Sequence, residues 1–101
     1  SRHVVAVARG GEQAVAMAES FRPDAVMMDL RMPRMNGYEA AKRIRAQAWG
    51  AKMLLIAVTG WGQETDRARS RESGIDHHLT KPVDTAQLLR VLWFPPLRDA
   101  H

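Results

Sequence analysis

Short apolar runs alternate with amphipathic stretches of helical length along this chain of 101 residues, and that alternation constrains its fold more than any other feature. Residues 4–7, 25–28 and 53–58 are apolar at nearly every position, so none of these segments can turn one face to water; they predict strands buried in a parallel sheet. Between residues 12 and 21, Ala14, Val15, Met17, Ala18 and Phe21 recur at helical spacing. Tyr38, Ala41, Ile44 and Ala48 do the same in a helix ending near Gly50. Residues 63–73 predict a polar helix with little to bury, and residues 76–79 a short fourth strand. Gly10-Gly11, Pro23-Asp24, Pro33 and Asn36-Gly37 punctuate the pattern.

The last helix has the clearest start. Asp84 is placed to cap it, Gln87 holds the capping-box position, and Val83 and Leu88 can form a hydrophobic staple. Leu88, Leu89, Val91 and Leu92 are its expected buried side, and Pro95-Pro96 stops it. Alternating strands and helices predict an α/β fold, a parallel sheet with helices on its faces. Residues 1–94 are expected to form one domain, followed by a tail, 95–101.

Composition narrows the partners. With no cysteine, neither a disulfide framework nor a thiolate zinc site is available. The net charge of +4 comes from arginines spread along the chain without interleaved aromatics. That argues for solvated helix faces and against nucleic acid. No apolar run approaches the ~20 residues of a membrane helix, no signal peptide opens the chain, and a cytoplasmic location is expected.

In an open parallel sheet, functional groups gather beyond the carboxyl ends of the strands. Asp29, Thr59 and Lys81 each stand at such an end. Taken singly, the Asp is a turn former or helix cap, the Thr a partner for local backbone, and the Lys a solvated cation. Together they offer phosphoryl-transfer chemistry: a carboxylate nucleophile, a hydroxyl donor, and an ammonium for the charge that spreads over the phosphoryl oxygens. Gly60 leaves room for those oxygens at the backbone, and a cis bond at Pro82 would direct Lys81 inward.

The stretch 22–37, with Asp29, Pro33 and Gly37 at intervals of four, closely resembles the phosphoacceptor segment of response-regulator receiver domains. Thr59 matches the family's switch threonine and Lys81-Pro82 its Lys-Pro pair, at intervals of 30 and 22 residues from the preceding motif. The wording of residues 59–64 and 77–84 looks most like receivers attached to bacterial hybrid histidine kinases. The resemblance implies a flavodoxin-like doubly wound sheet and a role in two-component phosphorelay. Asp29 would accept a phosphoryl group from a histidine kinase or histidine phosphotransfer domain, Thr59 would hydrogen-bond it, and Lys81 would pair with its charge. His78 occupies the position of the family's inward-turning aromatic; a buried structural histidine is the alternative there. Receivers catalyse their own phosphorylation and dephosphorylation, which does not make this chain a stand-alone enzyme.

The resemblance departs at the beginning. Receivers open with a central strand ending in an acidic pair that holds Mg²⁺, followed by a helix, whereas this chain starts at the family's second strand. Four of the five strands are therefore expected. The metal site would keep Asp29 and the backbone carbonyl of Arg31, so Mg²⁺ binding should be weak or absent. The family order 2-1-3-4-5 would lose its middle. Either residues 4–7 re-pair with 25–28, or another chain fills the gap, or the chain folds poorly, and self-association through unpaired edges is expected. A receiver acting as an interaction module without phosphorylation is the competing reading. A nucleotide binder is disfavoured because no Gly-rich phosphate loop occurs. The output face would comprise residues 64–73, 76–79 and 85–92, with Arg67, Arg69 and Arg71 making it basic.

Overall fold

A computed structural model describes residues 4–30, 35–60 and 67–93. The elements are β1 (Val5–Ala8), α1 (Gly11–Phe21), β2 (Ala25–Asp29), α2 (Gly37–Arg45), a 3₁₀ turn (Ala48–Gly50), β3 (Leu54–Thr59), α3 (Arg67–Ser73), β4 (His77–Thr80) and α4 (Thr85–Trp93). The four strands among the described residues are parallel, in the order β1-β2-β3-β4. This is the flavodoxin-like α/β arrangement of the sequence reading, with four strands. No helix among the described residues is long and apolar enough to cross a membrane.

Of the three outcomes expected for the first strand, the structure has the re-pairing. β1 lies directly against β2, from Val5 opposite Ala25 to Ala8 opposite Met28. Asp24 clamps the start of this seam: its carboxylate accepts from Val4 N at 2.7 Å, and its own N–H donates to Val4 O at 2.8 Å. The same residue's carbonyl accepts from Leu54 N, so one residue sets the register of three strands.

Because the strand order never reverses, right-handed crossovers put the connecting helices on one face of the sheet. There Ala6, Ala8, Val26, Met28, Leu55 and Ala57 pack with Ala14 and Ala18 of α1 and with Tyr38, Ala41 and Ile44 of α2. On the other face, Ala25, Ile56 and Leu79 meet Val91 of α4. α4 covers only part of it, and Val7 on β1 is 61% exposed.

The capping box of α4 forms as read, with reciprocal bonds between Asp84 and Gln87; Asn36, read only as part of a turn, caps α2 through Glu39 N at 3.0 Å. α1 ends at Arg22, a non-glycine residue at φ 47°; its guanidinium bonds Glu19 O at 2.7 Å and lies over the Trp49 ring, which offsets the left-handed backbone. Three apolar expectations are corrected. Phe21 is 68% exposed, Leu89 is 50% exposed, and Ala48 lies on the surface turn after α2. Each sits at the margin of a helical stripe, where periodicity continues but no neighbouring layer reaches. Pro33, residues 63–66 of the expected third helix and the tail after 93 lie outside the described residues.

Candidate active site

Parallel pairing brings the carboxyl ends of β2, β3 and β4 to one edge. Asp29 is in register with Val58, and Thr59 with Thr80. Lys81 follows β4, and its main-chain N–H donates to Thr59 O at 2.8 Å, so the base of this side chain is tied to β3. From there Lys81 Nζ donates to Asp29 Oδ2, joining residues 52 apart. The carboxylate is 26% and the lysine side chain 53% exposed, so the pair is open enough for a ligand to reach. The Lys81-Pro82 bond is cis, as the sequence reading allowed.

A cavity of about 290 Å³ lies over Asp29, on the part of the sheet that α4 leaves uncovered. Val7, Met27 and Val58 give it an apolar floor, and Arg9, Asp29 and Lys81 give it a charged rim. Arg9 was not singled out from the sequence. It arrives because Ala8 pairs with Met28, which sets the next residue of the first strand alongside Asp29. Its own N–H donates to Gln13 Oε1 at 2.6 Å, which ties the turn into α1. Asp29 and Lys81 form an ion pair at this rim, and a cation beside the carboxylate is suited to stabilising anionic oxygens.

The other expected residues fall in different places. Thr59 ends β3 beside this cavity but is itself buried and does not line it. His78 lies away from Asp29: its Nε2 is 2.7 Å from Ser70 Oγ, a contact between β4 and α3 that the sequence did not signal. Arg31, whose carbonyl was expected at a metal, lies outside the described residues. Among the described residues that line the cavity, Asp29 is the one carboxylate, and it is paired with Lys81. Among the described residues no three His, Asp or Glu side chains are grouped to hold a metal ion.

The family model described as the response regulator receiver domain matches residues 1–92. Protein PilH of Pseudomonas aeruginosa is 38% identical over 90 residues, which is 89% of this chain and 74% of that protein. Among solved structures, the receiver domain of sensor histidine kinase PA1611 from the same species, with a magnesium ion coordinated in its active site cleft, is 40% identical. Its TM-score is 0.71, over 84% of this chain and 70% of that one. Chemotaxis response regulator CheY4 of Vibrio cholerae also superposes with TM-score 0.71, at 28% identity over 84% of this chain and 71% of that one.

Proposed function

Since this chain belongs to the response regulator receiver domains, the modules of two-component phosphorelay in which an aspartate accepts a phosphoryl group, we propose that Asp29 is that acceptor here. The observation that carries this reading is the ion pair between Asp29 and Lys81 at the carboxyl edge of the sheet. The donor is a phosphohistidine on a histidine kinase or histidine phosphotransfer domain. An Asp29 oxygen attacks phosphorus as the P–N bond breaks; the imidazole leaves with the bonding pair and takes a proton from solvent. Lys81 then moves its charge from the carboxylate to the phosphoryl oxygens, and Thr59 supplies a hydroxyl donor from the end of β3.

Receiver domains generally bind Mg²⁺, and the magnesium-bound PA1611 receiver is an instance. Among the described residues that line the cavity no second carboxylate stands beside Asp29, where Mg²⁺ is usually held by one or two carboxylates with several waters. The same observation favours a second reading, a receiver that binds partners without being phosphorylated. Intact-mass measurement after incubation with phosphoramidate and Mg²⁺ separates the two. Gain of one phosphoryl group by wild type and not by Asp29→Asn supports the acceptor; no gain by either supports the interaction module.

A further inference from the structure

The start of α2 backs the main chain that presents Asp29. Gly37 N donates to Leu30 O at 3.4 Å. A Cβ at residue 37 would lie 3.1 Å from Asp29 O and 2.9 Å from Leu30 Cδ2, so the helix begins in contact with the acceptor's own backbone. The next residue, Tyr38, is buried, and the guanidinium of Arg69 on α3 lies over its ring, 4.3 Å from the centroid. We propose that Arg69 is a positioning residue for the phosphoryl-accepting site: stacked on Tyr38, it holds the start of α2 against Asp29. The inference rests on reading Asp29 as the phosphoacceptor.

α3 docks through polar side chains. Its one apolar residue, Ala68, is exposed, while Ser70 and Ser73 are buried, so no apolar stripe sets the helix in place. Arg69 meets α2 through Tyr38, and the adjacent Ser70 Oγ lies 2.7 Å from His78 Nε2 on β4, the strand that leads into Lys81. One short helix therefore braces both arms of the site, α2 beside Asp29 and β4 before Lys81. Within α3, Ser73 Oγ donates to Arg69 O at 2.7 Å and steadies the backbone that carries the guanidinium. The guanidinium is drawn to the negative face of the phenol ring and presses Tyr38 onto the core. Attack on phosphorus requires the carboxylate oxygen at a near-attack distance and in line with the leaving group, so a small shift of the backbone at Asp29 costs rate. Arg69 touches no reacting atom; it acts through Tyr38 and Gly37.

The test compares initial rates of mass gain by the 101-residue chain with phosphoramidate and Mg²⁺, each taken per folded chain from circular dichroism. An Asp29 oxygen bonds phosphorus while the P–N bond breaks; the nitrogen, carrying three protons in the zwitterionic donor, leaves as ammonia with the bonding pair. Arg69→Leu and Tyr38→Leu should each slow this step about fivefold, the scale of one cation–π contact. The double variant should be no slower than the slower single one, because both changes remove the same contact. Arg69→Lys keeps a cation and Tyr38→Phe keeps a ring, so both should stay within about twofold of wild type. Should Tyr38→Leu fail to fold, the exposed Arg69 still gives the answer through its Leu and Lys variants. A rate untouched by Arg69→Leu, no recovery in Arg69→Lys, or a double variant slowed by the product of the two overturns the inference and leaves Asp29 as acceptor. No gain by wild type overturns both.

Discussion

Arg45 on α2 and the fully buried Asp76 before β4, 31 residues apart, meet at 2.7 Å between Nη2 and Oδ2. The same carboxylate oxygen accepts from Leu55 N at 2.8 Å, while the rest of the guanidinium binds the carbonyls of Gly50, Met53 and Gly74. One arginine therefore ties α2, the approach to β3 and the turn after α3 together. Removing one partner strands a buried charge, so Arg45→Met and Asp76→Ala should each cost about 3–5 kcal/mol. Their double variant should cost less than the sum, because the second change removes a charge already stranded. Urea-unfolding midpoints at constant m-value give all three.

Gly74 accommodates that arginine. At φ +91° it sits where side chains are strained, and an added Cβ would lie 2.6 Å from Arg45 Cγ. Gly74→Ala should destabilise by about 1–3 kcal/mol, by the same unfolding measurement, while leaving phosphorylation of the remaining folded chain unchanged.

These two sites show where the sequence was readable and where it was not. The strands, the alternation and the capping box of α4 were legible because periodicity and caps are local. Asp29 and Lys81 were legible because a strand end is a local feature and parallel pairing brings such ends together. Arg45 and Asp76 carry no mutual signal over 31 residues. α3 reads as a polar helix with little to bury, yet Ser70 and Ser73 are buried in it: small hydroxyls satisfied by His78 and by Arg69 O pack where an apolar stripe was sought. Arg9 could have been found by following the re-pairing of the first strand to its register, which sets the residue after that strand beside Asp29.

Lys81 should separate function from stability. Its pair with Asp29 is partly exposed, and such pairs contribute about 0–1 kcal/mol. Lys81→Met should therefore leave the unfolding midpoint nearly unchanged. Its phosphorylation rate, by intact mass, should fall about 100-fold, because the charge counts most on the developing phosphoryl anion.

Ser70 joins α3 to His78, the position where the family resemblance places an inward-turning aromatic. Ser70→Ala takes the hydroxyl from a partly buried imidazole nitrogen and should cost about 1–2 kcal/mol. In ¹⁵N spectra the His78 Nε2 resonance should shift while that of His77 stays; an unmoved His78 signal would mean that the bond contributes nothing in solution.

His77, on the α4 face opposite Ile56, is half-buried, and its Nε2 has no hydrogen-bond partner among the described residues. Burial penalises the imidazolium and lowers its pKa below the ordinary 6.5; the neighbouring Asp76 carboxylate opposes this and is the smaller influence. The folded state therefore binds this proton less readily than the unfolded chain. Below pH 6.5 the unfolded chain takes it up first, so stability rises with pH in that window. The contribution is complete above the unfolded pKa, declines as pH falls through it, and levels off below the folded value. His77→Gln removes the titration and should flatten this part of the profile. Unfolding midpoints at about pH 7.5 and pH 5.5 should differ less for the variant than for wild type. Equal differences would mean that the burial of this ring does not disfavour its charge.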